Sequence, residues 1–428
     1  MAKVVRRSGT QVTVEVTVEL RGTLLEMEGA ILEASNAVGC CATEEALRRF
    51  DTDGGAIRVG ETKLTARGRD AKDYQSPFGV VRVERYVYQS WRGGRIYCPL
   101  ERQARIIRGG TPRFASQISH KYAQLNAGAV QRDLEQNHGR AVAKSYIQHV
   151  GEWVGNIAMA KEEDWEYAMP KLAGAVETVL VSLDGAMIPM ADSEGYREAM
   201  VGTLSFYDGE GERAHTIYLA AAPEYGKHEF SQRLAREIAR AKQHYPDARY
   251  VGIADGAPSN WSFLEQHTQR QLIDFFHVTE YVSKLAQARY PQRGAETQRS
   301  RWQHQHCSDL KRDPKAVDTL IEQAANLSRR TSLSKALRDG AYSAWTYLSN
   351  HRHQMDYPGF LAENLPIGSG VTEAACKTLV KQRLCASGMR WKNKGAKIIL
   401  SLRSLANTAG RWTQFWQKID QFGVECYG

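Results

Sequence analysis

The chain has 428 residues, 42% of them hydrophobic and 25% charged, which is the make-up of two or three globular domains with a sizeable core and excludes a mainly disordered chain. No apolar run approaches the roughly 18 residues of a membrane span, the basic opening MAKVVRRSGTQVTVEV has no apolar h-region of a secretory signal, and seven cysteines without a C-x-x-C pair imply neither a disulfide framework nor a zinc ribbon. A reducing cytoplasm fits, and the net charge of +9 favours a polyanionic partner.

Val12, Val14, Val16 and Val18 alternate with polar residues and predict a half-buried strand. A helix is expected over roughly 24–47, with Thr43, Glu44 and Glu45 forming an N-terminal helix signal inside it. DTDGG at 51–55 is a turn, and 74–91 alternates again as strands, with Pro77 and Gly79 near their turn. Residues 1–110 thus read as a small α+β module. Residues 111–170 read as helical, with weak breaks at Gly128 and Gly139. Short helices joined by turns, with Arg132, His138, Arg140 and Lys144 exposed, fit a DNA-binding helix-turn-helix and also a plain helical connector.

VETVLVSL at 176–183 is a nearly continuous apolar run ending at Asp184-Gly185, as expected of a central strand buried on both faces. Residues 199–207 and 214–221 predict two more strands, joined by a hairpin turn through DGEGER. Phe230, Leu234, Ile238 and Ala241 recur at helical spacing. RYVGIA at 249–254 is a strand ending at Asp255-Gly256, a short helix follows around 261–265, and QLIDFF at 271–276 is a fifth strand ending at His277. The order β-β-β-α-β-α-β predicts an α/β domain on a mixed sheet. Residues 278–350 are helical and polar, and Pro358 and Gly359 break the chain before the Gly-rich turn and helix of LPIGSGVTEAACKTLVKQRL. On that helix Glu373, Lys377 and Lys381 share a stripe, with Cys376, Leu379, Val380 and Leu384 on an apolar side. From residue 374 to the end, ten Lys or Arg stand against two Asp or Glu, nearly the whole positive excess. Trp391, Trp412, Phe415 and Trp416 in this tract suit base stacking beside phosphate-binding cations, and equally an apolar stripe packed on a core.

Two apolar strands that each end in Asp-Gly put Asp184 and Asp255 at carboxyl ends of strands, where open sheets with parallel strands gather functional groups. A turn role is the alternative for any Asp-Gly. Glu373, one helical turn beyond Gly370, is the third acid, although the helix dipole alone favours a Glu there. Two Asp and one Glu make a hard oxygen site suited to Mg²⁺, which binds a few carboxylates, waters and substrate phosphates.

SLDGAMIP at 182–189, IADGAPSNW at 253–261, DFFHVTEY at 274–281 and IGSGVTEAACKTLVKQRLCASGMRW at 367–391 resemble the DDE transposases of bacterial insertion sequences, in particular the ISKra-type family, which shares its catalytic plan with Mutator-like transposases. The likeness runs strongly from about residue 170 to the end, and YCPLERQARIIRGGTPRF at 97–114 with the helices after it also fits. The motif IGSGxxEAACKxLVxxRLxxSGMRW is specific, whereas a lone Asp-Gly is not.

The resemblance implies an RNase H-like mixed-sheet core whose first part spans 171–281, a helical insertion over 282–360, and core C-terminal helices with the basic tract over 361–428. It implies Asp184, Asp255 and Glu373 as a metal-binding triad for Mg²⁺, with Mn²⁺ as substitute and no small-molecule cofactor. DFFH matches the C/D-x-x-H signature of Mutator-like enzymes and brings Asp274 and His277 to the site in a supporting role. The implied activity is metal-dependent cleavage of insertion-sequence DNA ends and strand transfer into target DNA. It would be carried out in the bacterial cytoplasm by a homodimer or higher homo-oligomer on double-stranded DNA, without a membrane. Candidate DNA contacts are Arg132, Arg140, Lys144, Lys377, Lys381, Arg390, Trp391, Lys392, Lys394 and Lys397. The alternatives are a non-catalytic DNA-binding protein and an RNase H-like nuclease that cuts without joining.

Overall fold

The computed structural model describes residues 2–191, 195–224 and 227–423. The chain divides into two units: residues 1–167 with 397–406 and 410–428, and residues 168–396 with 407–409. Cys426 lies outside the described residues, and the other six cysteines are free. Among the described residues no helix is long and apolar enough to cross a membrane.

The first unit opens with a hairpin of β1 (Lys3–Ser8) and β2 (Gln11–Glu15). The valine alternation continues to Val18, but the strand stops at Glu15, where its pairing with Lys3 ends. The helix α1 (Leu24–Arg48) begins at Thr23, whose hydroxyl accepts from the Glu26 amide while the Glu26 carboxylate takes the Thr23 amide at 2.6 Å. This reciprocal cap satisfies two donors that helix geometry leaves unpaired. Thr43 is interior to α1, not a helix start: its hydroxyl donates back to the Gly39 carbonyl at 2.7 Å. Thr23→Ala is expected to cost about 1 kcal/mol of helix stability, seen as faster amide exchange confined to the first turn of α1; unchanged exchange there would contradict the cap.

The strands β3 (Ile57–Val59), β4 (Thr62–Gln75), β5 (Val80–Ser90) and β6 (Gly93–Tyr97) form an antiparallel meander in that order. Tyr74, Val81 and Val83 bury one face of it with Leu47 of α1 and Leu100. Four helices follow: α2 (Pro99–Gln103), α3 (Pro112–Gln124), α4 (Ala127–His138) and α5 (Lys144–Ala160). The break between α3 and α4 falls at Leu125–Asn126, where Asn126 caps α4, so Gly128 sits inside the first turn. Gly139 does end α4, in the left-handed conformation with φ 60° that glycine adopts without a Cβ penalty.

The second unit is built on the strands β7 (Thr178–Pro189), β8 (Tyr196–Tyr207), β9 (Arg213–Ala221), β10 (Arg249–Ala254) and β11 (Arg270–Ile273), with α6 (His228–His244) and α7 (Pro258–His267) between the later ones. The spatial order is β11-β10-β7-β8-β9. β10 runs parallel to β7 and β11, while β7–β8 and β8–β9 are antiparallel, so the sheet is mixed. Val179, Leu180 and Val181 of central β7 are fully buried, as the continuous apolar run requires.

Two strand ends differ from the sequence reading. β7 passes through Asp184-Gly185 to Pro189, because its antiparallel pairing with β8 continues as far as Tyr196. Its parallel pairing with β10 stops at Ser182, so Asp184 still lies just past the carboxyl end of the parallel part. β11 ends at Ile273 and not at Phe276, because Asp274 caps α8 (Phe275–Arg289).

The polar stretch after β11 forms α8, α9 (Glu296–Arg312), α10 (Ala316–Arg329), α11 (Lys335–His351) and α12 (Tyr357–Ala362). Its sparse Leu285, Leu310, Leu320, Leu327 and Leu348 are buried in the same hydrophobic cluster as the sheet residues. After the IGSG turn, α13 (Gly370–Ala375) runs into a π-helical stretch (Cys376–Lys381) and a last turn, α14 (Gln382–Leu384). The final helices are α15 (Asn393–Asn407) and α16 (Arg411–Phe422). Residues of both pack within the first unit. Arg403 donates to the Ala123 carbonyl at 2.7 Å and Trp412 to the Ser116 hydroxyl at 3.1 Å, and buried Phe415 meets Trp165. The sequence reading grouped this tail with the catalytic half; its aromatics serve packing.

Candidate active site

The site is built by register. Ile253 pairs with Ser182 and Ala254 with Ile273. Continuing these parallel registers sets Asp255 beside Asp184 and Asp274 beside Asp255, a row across three strands spaced by about 4.8 Å. The carboxylates of this row do different work.

Asp184 is half-buried. Its Oδ1 accepts from the Gly185 amide at 2.7 Å, and the Cys376 thiol approaches Oδ2 at 3.5 Å. Burial, reinforced by the negative charge of Asp255, pushes its carboxyl above the ordinary 3.8, against the opposing pull of Gly185, Cys376 and His277. Asp255 closes its own turn: Oδ1 accepts from the Ala257 amide at 3.3 Å and from Asn260 Nδ2 at 3.0 Å.

Glu373 comes from α13, which rests on β7 and β8 of the sheet and shares a buried hydroxyl pair with it. The Thr372 and Thr203 hydroxyls lie 2.7 Å apart, both side chains fully buried. Thr203 pairs with Ser182, two residues before Asp184 and so on the same face of β7. Burial pushes the Glu373 carboxyl above the ordinary 4.5, and the charges of Asp274, Asp184 and Glu280 add to this while His277 opposes it. Thr372→Val leaves a buried Thr203 hydroxyl without its partner and should destabilise the unit by about 1–3 kcal/mol. A chemical-denaturation midpoint equal to wild type would show that this contact does not anchor α13.

Asp274 is fully buried and acts as a joint. Oδ1 accepts from the Phe276 and His277 amides at 2.6 and 3.3 Å, and Oδ2 takes both the amide and the hydroxyl of Ser369. The Ser369 carbonyl in turn accepts from the Thr372 and Glu373 amides at 2.7 and 3.0 Å. The end of β11, the start of α8 and the start of α13 are thereby tied together. His277 sits in the first turn of α8, not at a strand end, and its charge favours ionised Asp184 and Glu373. Glu363, the nearest acidic residue upstream of the motif helix, is held by Arg249 and Arg270 at 2.7 Å each, at the opposite ends of β10 and β11.

Among the basic candidates, Lys377, Lys381, Arg390, Lys392 and Lys394 are exposed in the second unit, and Arg132 and Lys144 in the first, where Lys397 is half-buried. Arg140 is a correction: it is 7% exposed. Its guanidinium is committed to the Ser76 carbonyl and Gln75 Oε1 and lies over the Phe114 ring, so it stiffens the first unit instead of facing outward. Trp391 is half-buried, with its indole donating to the Leu384 carbonyl at 2.9 Å and buried Arg383 against its ring. Its backbone bonds Pro189 and Ala191, prolonging the end of β7. Sequence reading missed Ser369, Thr203 and Thr372; the serine inside IGSG was the one local hint. It also missed the π-helical stretch after Glu373, a feature often found at functional sites.

No protein-family model matches the chain, and no curated protein matches it. Among the described residues, no three His, Cys, Asp or Glu side chains are gathered closely enough to hold a metal ion. What stands is three carboxylates, Asp184, Asp255 and Glu373, toward one end of a mixed sheet, with the charge of Asp255 opposing ionisation of Asp184 and that of Asp184 opposing ionisation of Glu373.

Proposed function

We propose that the protein is a DDE transposase with an RNase H-like core, cutting the DNA ends of its element and joining them to target DNA. The observation that carries this reading is the row of Asp184 and Asp255 on adjacent parallel strands, with Glu373 on a helix hydrogen-bonded to the same face. The β-β-β-α-β-α-β order of the second unit supports it. By ligand type the donor set suits Mg²⁺, with Mn²⁺ as substitute, since all three groups are hard oxygens and the raised carboxyls of Asp184 and Glu373 are of the kind a cation relieves; the three would have to draw closer together than they stand here to share an ion. Asp184, Asp255 and Glu373 would hold it, and when bound it supplies the charge that activates an attacking oxygen and stabilises a leaving one.

The protein's own groups do the rest. Asp274 holds Glu373 in place through Ser369. His277 orients a phosphate or flanks the scissile strand. Lys377, Lys381, Arg390, Lys392 and Lys394 add a salt-sensitive, sequence-independent attraction to the backbone. His277→Ala should lower strand cleavage while folding and DNA binding stay intact; cleavage at the wild-type rate would remove that role, and an unfolded variant would make the histidine structural.

The rival with its own observation is a DNA-binding protein whose carboxylates only shape turns, since Asp255 Oδ1 already closes one. A labelled duplex carrying the DNA that flanks the reading frame, incubated with protein and Mg²⁺, tests the readings. Joined product supports transposition, cutting alone a nuclease, and binding alone the rival.

A further inference from the structure

Trp91 and Arg92 form the tight turn that joins β5 to β6 in the first unit. At 83% exposure Trp91 is the most exposed large hydrophobic side chain among the described residues, and the Arg92 guanidinium lies over its ring at 4.8 Å. The turn is held in shape by side chains: the Ser90 hydroxyl donates to the Gly93 carbonyl at 2.7 Å, and Gln89 Nε2 donates to the Gly94 carbonyl. A Cβ at Gly93 or Gly94 would meet nothing within 4 Å, so one arm of the hairpin presents bare, open backbone.

Charge at this end of the sheet is one-sided. Arg58 pairs with Lys63 across β3 and β4, and continuing the Thr65–Gln89 register by two residues sets Lys63 level with Trp91. With Arg92 and Arg95 they make four exposed cations, against Glu61 as the one acid in 57–65 and 89–97. Among the described residues none of the four has an ion-pair partner. Farther along β4 and β5 acids answer the cations: Lys72 has Glu101 at 2.8 Å, Arg82 has Asp73 at 3.5 Å and Arg85 has Asp70 at 2.8 Å. Unanswered cations repel one another and add nothing to the fold, and a polyanion relieves them. Ile96 is the one other exposed large hydrophobic in these stretches, too little apolar area for a stable hold on a lipid surface. A two-stranded ribbon is narrow enough to enter a DNA groove, where a planar ring finds base faces to stack on.

We propose that the β5–β6 hairpin is a DNA-binding ribbon, which enters a groove of the duplex with Arg58, Lys63, Arg92 and Arg95 on backbone phosphates and Trp91 against the bases. The hairpin belongs to the first unit and the carboxylate row to the second, and the inference does not rest on the cleavage reading.

The test is equilibrium binding of the full chain to a labelled duplex carrying the DNA that flanks the reading frame, without divalent metal, so that cutting does not enter. Affinity should fall about 10-fold in Trp91→Ala, the weight of one lost stacking contact, and Trp91→Phe should recover most of it. Replacing Arg92 and Arg95 together by Ala should flatten the slope of log affinity against log salt by about 2. Thermal midpoints should match wild type, because these side chains are exposed. Duplex bound alike by wild type, Trp91→Ala and the double variant overturns the proposal and leaves the cleavage reading standing. A wild type that binds no duplex removes both. A lowered midpoint accompanying the lost affinity also overturns the proposal, since the tip would then be structural. So does wild-type binding to anionic vesicles in place of duplex, abolished by Trp91→Ala, which would make the tip a lipid contact.

Discussion

Asp184→Asn is expected to abolish Mg²⁺-dependent cleavage, by about 10³-fold or more, while the protein stays folded and binds DNA. The amide keeps the shape and can still accept from the Gly185 amide, which now bonds Oδ1 at 2.7 Å. What it loses is a negative charge that Asp255 opposes and burial disfavours. Asp255→Asn and Glu373→Gln should behave alike, with Ca²⁺ supporting binding but little cleavage because its geometry is looser. The same charges give a pH signature. Asp184 and Glu373 titrate higher in the folded protein than their ordinary 3.8 and 4.5, so above those values the folded state binds more protons than the unfolded one. Stability contributed by these two groups therefore falls as pH rises through that window, and the loss is complete above the raised values. Melting curves from about pH 4 to about pH 7 should show the Asp184 share of this fall vanish in Asp184→Asn. Added Mg²⁺ should raise the wild-type midpoint at neutral pH more than that of the variant. A Glu373→Gln protein that cleaves normally would take Glu373 out of the triad; Glu363, tied to Arg249 and Arg270, offers no ready replacement.

Asp274→Ala should fail differently, by loosening the fold. The substitution strips the acceptor from four donors at once, the Phe276, His277 and Ser369 amides and the Ser369 hydroxyl, in a fully buried place. A loss of about 3 kcal/mol or more in denaturant unfolding is expected, since each stranded buried group carries its own desolvation cost. Glu373, whose amide bonds the Ser369 carbonyl, should shift with the loop and take cleavage with it. Asp274→Asn should fall between, because one oxygen can still cap α8 while the new amide group meets the Ser369 donors. Were Asp274→Ala as stable as wild type, Asp274 would be no joint, and its place beside Asp255 would have to be explained by chemistry instead.

Much of the second unit can be read from local signals. Apolar runs, tight turns and one amphipathic helix are short-range patterns, and they are enough to give five strands in order and a mixed sheet. The Asp-Gly pairs mark Asp184 and Asp255 for the same reason: polarity changes abruptly after a buried run. Strand ends escape this logic. β7 outlasts its Asp-Gly because β8 keeps pairing with it, and β11 stops early because Asp274 turns to serve Ser369, 95 residues away. Burial of individual charges escapes it too: Arg140 lies in a polar stretch, yet Gln75, Ser76 and Phe114 claim its guanidinium. Glu373 reads from the chain as one acid near a helix start, and its place at the sheet edge depends on a hydroxyl pair between Thr203 and Thr372, 169 residues apart. Periodicity tells which side of an element is buried. Which distant group meets it there depends on packing, and packing has no local trace.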